Sequence, residues 1–202
     1  MKLYSAPISG NAYKVRLFLS LLGLDCEVVD VDPFGEGPLR EELRRLNPRG
    51  QIPVLVDGER VVRDSQAILA WLARAYAEPS WLPLEAGALA RVMEWLAVSE
   101  NELLFGLAWA RAVLRFARPY DLEASQALGR RGLTVLEGRL QEQPWLAADH
   151  PTIADIACYP YVALAPEGGL ALDDRPAIRA WLARIEALPG YVPMEGIDPA
   201  AR

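Results

Sequence analysis

Histidine, cysteine and lysine are scarce in this chain. Its 202 residues hold one histidine, two cysteines and 21 basic residues, of which only Lys2 and Lys14 are lysine. The two cysteines lack the spacing of metal ligands or of a redox pair, and no metal is expected. Cys26 and Cys158 fall in separate apolar segments without CxxC spacing and read as buried free thiols. The lone His150 reads as a surface residue. No apolar run approaches the ~20 residues needed to cross a bilayer. The N-terminus enters a strand directly, without a cationic stretch and an apolar signal region, so the cytosol is the expected compartment. The net charge of −6, the pI of 5.0 and the scattering of arginines without a basic run exclude a nucleic acid or an anionic membrane as partner. What remains is a soluble globular balance, 52% hydrophobic and 24% charged, long enough for one large domain or two small ones.

Two halves of different character follow from the patterning. Lys2–Ser5 reads as a strand. Residues 12–22 read as a helix with Val15, Leu19 and Leu22 on one face and Gly23 at its end. Residues 26–31 form a second strand, and Pro38–Leu46 a short helix with proline at its first position. In the run Asn47-Pro48-Arg49-Gly50-Gln51-Ile52-Pro53-Val54-Leu55-Val56-Asp57-Gly58, Pro53 cannot donate a ladder hydrogen bond and must start a strand or lie on an edge. Asp57-Gly58 then joins two β-branched runs as a hairpin. Asp64-Ser65 opens the helix Ser65–Tyr76, next to amides that lack intrahelical partners. The order β-α-β-α-β-β-α is that of a thioredoxin-like domain, here residues 1–77. Two prolines in Glu78-Pro79-Ser80-Trp81-Leu82-Pro83 break the periodicity and mark a linker over 78–85. The remainder, 86–202, reads as all-helical, with helices at about 86–118, 122–141, 153–164 and 176–187.

An X-Pro bond, a hairpin and a helix N-terminus within so few residues gather exposed backbone donors and acceptors at one spot, where a peptide-like ligand with carboxylates can bind. This arrangement resembles the glutathione-binding half of the glutathione transferases. The resemblance implies a cis peptide at Ile52-Pro53, with the Ile52 backbone pairing with the cysteinyl part of glutathione. It also implies that Asp64 and Ser65 hold the γ-glutamyl end. Gln51 stands where maleylacetoacetate isomerase-like members carry a glutamine, which makes it one candidate for the glycine carboxylate and Arg49 the other. Other classes carry histidine one position earlier, where this chain has Gly50. The resemblance further implies glutathione as co-substrate and a small electrophile or a peroxide as its target.

In this family the loop before the first helix carries the chemistry. Here that loop runs Pro7-Ile8-Ser9-Gly10-Asn11-Ala12, without a cysteine between residues 1 and 25, which argues against disulfide exchange through an enzyme thiol. Ser9 occupies the serine position of the Ser-type members. A hydroxyl at a helix N-terminus can donate to a thiolate while the helix dipole adds positive potential. Asn11 is the rival donor, and Ser9 can equally be a plain N-cap. Tyr4 and Tyr13 read as packing residues. Ser9-Gly10 and Gln51 lean toward the isomerase-like class, although Gly10 stands where that class has a second serine. A glutathione-dependent isomerase or dehalogenase, or a non-catalytic glutathione-binding module, therefore stay open beside the transferase.

The helical half carries a second mark of the same family at Pro151-Thr152-Ile153-Ala154-Asp155, a capping box with aspartate in place of glutamate, expected to serve stability. On the long helix at 86–118, Leu96, Leu103, Leu107 and Leu114 form a face expected to be core. Glu100, Asn101, Leu104, Ala108 and Arg111 form a stripe that in the resembled fold faces the cleft and a second subunit. On this stripe Leu104 and Ala108 would give a small apolar wall, and Arg111 either a cation for an acidic substrate or a solvated arginine. The resemblance implies a homodimer, with Arg63, Arg74 and Arg91 available to pair with Glu94, Glu100 and Glu102. Val92 and Trp95 are apolar beyond the needs of one core face.

Overall fold

The computed structural model describes residues 1–194 and 197, so the remainder of the 86–202 region lies outside the described residues. The first half forms a four-stranded sheet of order β2-β1-β3-β4. Its strands are β1 (Lys2–Ser5), β2 (Glu27–Asp30), β3 (Val54–Asp57) and β4 (Arg60–Arg63). β1 pairs parallel with β2, Lys2 opposite Glu27, and antiparallel with β3, Tyr4 opposite Val54. The Asp57-Gly58 turn sets the antiparallel β3–β4 pair, with Asp57 opposite Arg60. Helices α1 (Gly10–Leu21), α2 (Pro38–Leu46) and α3 (Ser65–Tyr76) complete this half. The order matches the thioredoxin-like expectation, with boundaries shifted by one or two residues. Cys26 departs from the reading as a buried thiol and is only half-buried, because it precedes an edge strand; Cys158 is fully buried.

The second half is helical: α4 (Ala86–Val98), a π-helical stretch (Ser99–Ala108), α5 (Trp109–Phe116), α6 (Leu122–Glu142), α7 (Ile153–Ala163) and α8 (Pro176–Glu186). Short 3₁₀ turns lie at Pro79–Trp81 and Ala165–Gly168. The expected single helix over 86–118 is thus α–π–α. The π stretch crosses α6 at glycines: a Cβ on Gly106 would stand 2.5 Å from the Gly129 backbone nitrogen, and one on Gly132 2.9 Å from the Glu102 Cβ. The wider i→i+5 turns also change the phase of the helix. Leu96, Leu103 and Leu107 are buried as expected, but Leu114 has rotated out and is 51% exposed.

One apolar core runs through both halves, from Leu3, Val15 and Phe18 through Leu69 and Leu72 to Ile156, Trp181 and Ile185. Helix α7, buried along its whole length, packs on both α1 and α4. The capping box forms: Asp155 accepts from the Thr152 amide at 2.9 Å, and Thr152 Oγ1 from the Ala154 amide at 3.2 Å. Val92 and Trp95 belong to this internal core, which corrects the reading of them as surplus apolar surface. Beyond α8 the chain threads back over α1. The Tyr13 hydroxyl donates to the Val192 carbonyl at 2.6 Å, and a Cβ on Gly190, whose φ is +86°, would stand 2.7 Å from the Ser20 oxygen. Tyr13 is a packing residue, as expected; Tyr4 is buried too and donates its hydroxyl to Glu42.

Candidate active site

A cleft of about 720 Å³ opens between the two halves. Its floor comes from the starts of α1 and α3 and from the loop that enters β3. Ser9 is the N-cap of α1, in extended conformation, and its Oγ accepts the Ala12 amide at 3.2 Å. Asn11, in the first turn, lines the cleft too, and its Oδ1 is buried with no protein partner. The Ile52–Pro53 bond is cis and lies just ahead of Val54, the first paired residue of β3. The Asn47 side chain ties this loop by donating to the Gln51 carbonyl at 2.8 Å and accepting the Arg49 amide at 3.2 Å.

Asp64 has φ +79°, a left-handed conformation uncommon outside glycine. A residue held there costs on the order of 1–3 kcal/mol, and such residues cluster at functional sites. Its Oδ1 caps α3 through the Gln66 amide at 2.9 Å and the Ala67 amide at 3.4 Å. A carboxylate offers about four lone-pair sites, so acceptor capacity remains for a ligand. Ser65, buried at the first helical position, brings its hydroxyl and a first-turn amide to the same place. Gln51 and Arg49 also line the cleft, both exposed.

Behind this floor lies a buried polar cluster absent from the sequence reading. Lys14 is completely buried, and its ammonium reaches Ser99 Oγ at 3.1 Å and Glu100 Oε1 at 3.4 Å. Gln66 Nε2 donates to the same two oxygens at 3.1 and 2.8 Å, while Ser99 passes its own hydrogen to the Ala157 carbonyl. Burial lowers the Lys14 pKa, and Glu100 pulls it back. Glu100 itself lines the cleft within the same chain as Asp64, so two carboxylates face the site without a second subunit. Asn101 points elsewhere: it is exposed and donates to the Ala97 carbonyl. One signal was available for Lys14, a lysine retained inside a helix of an otherwise arginine-using chain.

The opposite wall corrects part of the expected stripe. Leu104 lines the cleft; Ala108 and Arg111 do not. Arg111 is neither a free cation nor solvated. It is buried, paired with Glu167, and donates to the Ile8 carbonyl at 2.9 Å, so it fastens the Ser9 loop to the helical half. The wall is aromatic instead, built by Phe34, Phe105, Trp109 and Tyr120. Trp109 stacks on Tyr120 at 4.2 Å and 8°, and Phe105 meets Trp109 edge-on at 4.8 Å. Arg118, also on the wall, lies over the Phe34 ring at 5.4 Å with no acid within ion-pair distance among the described residues. The spacing Phe105, Trp109, Ala112 (i, i+4, i+7) marked one helix face and could have identified this wall. Arg40, missed as well, lines the cleft; it donates to the Gly50 carbonyl at 3.1 Å, and its buried Nε has no partner.

The cleft can therefore hold an extended peptide carrying an ammonium and carboxylates beside a flat apolar group. Neither cysteine lines it. Among the described residues no cluster of three or more histidine, cysteine or acidic side chains could hold a metal ion, and no helix is long and apolar enough to cross a membrane. His150 is partly exposed and lies outside the cleft, contacting Asp149 and the Ser80 carbonyl.

Known proteins agree with this architecture along nearly the whole chain. The glutathione S-transferase N-terminal domain model matches residues 3–80, and the C-terminal domain model residues 92–189. Glutathione S-transferase 3 of Zea mays is 34% identical, over 95% of this chain and 91% of its own. Disulfide-bond oxidoreductase YfcG of Escherichia coli (strain K12) is 32% identical, over 93% of this chain and 90% of its own. The crystal structure of a glutathione S-transferase from Pseudomonas fluorescens Pf-5 superposes with a TM-score of 0.88 at 34% identity, covering 96% of this chain and 98% of that one. With matching models for both halves and relatives above 30% identity end to end, the chain belongs to the glutathione S-transferase family.

Proposed function

We propose that the protein is a glutathione transferase that binds glutathione across the cleft floor, stabilises its thiolate through Ser9 and delivers it to an electrophilic carbon at the aromatic wall. The observation that carries this reading is the convergence of Ser9, the cis Ile52–Pro53 bond and the strained Asp64-Ser65 helix start on one cleft. Asp64, with Glu100 beside it, receives the γ-glutamyl ammonium. Ser65 and the α3 N-terminus take the adjacent carboxylate. The Ile52 backbone pairs with the cysteinyl unit, and Gln51, Arg49 or Arg40 meets the glycine carboxylate.

A free thiol with a pKa of ~8.5 is only a few per cent ionised near neutrality. Ser9 Oγ already accepts the Ala12 amide, so its hydrogen is available to a thiolate. One charge-assisted hydrogen bond contributes ~1.5–3 kcal/mol, and one pKa unit is ~1.36 kcal/mol, enough to bring the thiol close to neutrality. The thiolate attacks the electrophilic carbon, a carbon–sulfur bond forms, the leaving group departs with the electron pair of its bond, and the thiol proton goes to solvent. Asn11 is the competing donor. Phe105 and Trp109 suit a flat electrophile, and Arg118 suits one with an acidic group.

We read residues 1–77 and 86–202 as the two domains, 78–85 as their connector, and the protein as a cytoplasmic homodimer built around α3 and α4. The arginines first considered for that contact serve their own chain: Arg63, Arg74 and Arg91 donate to the carbonyls of Leu46, Pro83 and Ala147. Exposed Met93 on α4 and Tyr76 on α3 are the apolar groups left for it. A single 22.3 kDa species by light scattering would remove the dimer.

The same thiolate serves an isomerase, and the relationship to a disulfide-bond oxidoreductase adds reduction of a disulfide by glutathione itself. One panel separates these: chlorodinitrobenzene, cumene hydroperoxide, maleylacetone and a small disulfide, each with glutathione. Conjugation of chlorodinitrobenzene that Ser9→Ala reduces supports the transferase. Turnover of maleylacetone or the disulfide alone replaces it. Absence of glutathione binding by calorimetry overturns the reading.

A further inference from the structure

The helical half sends one side chain to the start of α1. Tyr161, near the end of α7, is only 7% exposed, yet it lines the cleft together with Ser9 and Asn11. Its ring lies so close to Gly10 that a Cβ there would stand 2.6 Å from Cε1 and 2.9 Å from Cζ, so glycine at position 10 is what admits the ring. The Lys14 ammonium sits 5.4 Å from the ring centroid. The Asn11 backbone N–H acts on the hydroxyl and offsets part of the effect of burial on it.

Two hydroxyls thus meet at one helix start, from opposite halves of the chain. Ser9 Oγ takes the Ala12 amide, and the Tyr161 ring lies against Gly10 in the same cleft. A hydroxyl has one hydrogen to donate and two lone pairs to accept with. In Ser9 one accepting site is filled by a first-turn amide, and among the described residues neither hydroxyl's hydrogen goes to a protein acceptor. A buried tyrosine hydroxyl ordinarily finds one. Burial pushes the Tyr161 phenol up to about 12, so it keeps its proton at neutral pH and can act as a donor but not as a base. The buried, unpartnered Asn11 Oδ1 in the same cluster is a second polar group left for a ligand.

We propose that Tyr161 is a second catalytic donor, whose hydroxyl shares the glutathione thiolate with Ser9. The proposal rests on the glutathione reading above. It makes the ionisation of the thiol a joint property of the two halves, because the second donor arrives on α7.

Tyr161→Phe keeps the ring against Gly10 and Lys14 and removes only the hydroxyl. The readout is the pH midpoint of the bound glutathione thiolate, followed by its ultraviolet absorbance, alongside kcat and KM. The midpoint is expected to rise by about one pH unit and kcat near neutrality to fall about tenfold, the equivalent of that shift. KM for glutathione should stay within about twofold, as for an interaction made only with the reacting atom. Gly10→Ala, which leaves the hydroxyl in the chain but displaces the ring, is expected to raise the midpoint likewise. A wild-type midpoint and kcat in Tyr161→Phe, even with a lowered melting temperature, would reduce Tyr161 to a packing residue and overturn the proposal while leaving the transferase intact. Wild-type protein that takes up no glutathione would overturn both.

Discussion

Asp155 and Asp64 both sit at helix starts, but their surroundings are opposite. Asp155 is wholly buried and accepts four hydrogen bonds, from the Thr152 amide and hydroxyl, the Leu146 amide at 3.0 Å and Trp181 Nε1 at 2.9 Å. Its backbone is helical and its acceptor capacity is spent inside the protein. Asp64 is half-buried, sits at φ +79°, and uses one oxygen for two amides. A carboxylate whose partners are all supplied by the fold holds the fold together. One kept in a costly conformation with acceptors to spare is built to meet something else. As helix-capping acids the two read alike, and only the family resemblance set Asp155 to stability and Asp64 to a ligand; burial and backbone angle give that division a physical cause.

Substituting each aspartate tests that separation. Asp155→Ala strands buried donors on Trp181, Leu146 and Thr152, each at a cost of about 1–3 kcal/mol, and should lower unfolding free energy by several times the effect of losing one bond, measured by chemical denaturation, with glutathione affinity per folded molecule unchanged. Asp64→Asn keeps a capping oxygen and a residue that tolerates positive φ, and removes the charge. It should weaken glutathione binding by about 1–3 kcal/mol in calorimetry while stability stays near wild type. If the two variants exchanged phenotypes, the contrast between the helix starts would be wrong.

Smaller effects sharpen the same contrast around the cleft. Ser9→Ala should lower turnover about tenfold with little change in glutathione affinity, as expected for a hydroxyl that touches only the sulfur. Equal activity in Ser9→Ala with a large loss in Asn11→Ala would transfer the role to Asn11. Arg118→Gln should reduce kcat/KM severalfold, about 1 kcal/mol, for aromatic electrophiles carrying a carboxylate, and leave neutral ones unchanged. Equal losses on both would make Arg118 a support for Phe34.

A third acid, Asp57, gives the smallest effect. Its carboxylate accepts from the Tyr76 hydroxyl at 2.6 Å and from Trp71 Nε1 at 3.0 Å, and these bonds hold its pKa below the ordinary 3.8. Its stabilising contribution is therefore present above that value and lost as pH falls through the lower folded one. Asp57→Asn should lower the melting temperature slightly at pH 7, where the contribution is fully present, and flatten its fall below about pH 4, where the variant and the wild type converge. An unchanged acid slope would count against this pairing.

Local chemistry made most of the fold legible. Prolines and glycines mark where elements start and stop, alternation marks the strands, and capping residues mark α3 and α7 within a residue or two. The floor of the cleft was legible for the same reason, since Ser9, Ile52, Pro53, Asp64 and Ser65 act through the backbone around them. Side chains that matter through a distant partner were not. Lys14 looks like any helix lysine until Ser99 and Glu100 are folded against it. Arg111 looks like a surface arginine until Glu167 and the Ile8 carbonyl enclose it. The π stretch could not be read from periodicity, because its setting is the glycine crossing with a helix that begins later in the chain.

The thread that returns over α1 has a consequence for how the protein is made. Tyr13 and its acceptor Val192 are 179 positions apart, so α1 leaves the ribosome long before the residue that completes its packing exists. At about 5–20 residues per second, that interval is on the order of ten to forty seconds. Throughout it, the nascent first half carries an uncovered face on α1, where α7 and the returning thread will later lie, and that face is open to chaperones. Ribosome-bound chains stopped before and after residue 192 should differ most in protease protection within α1.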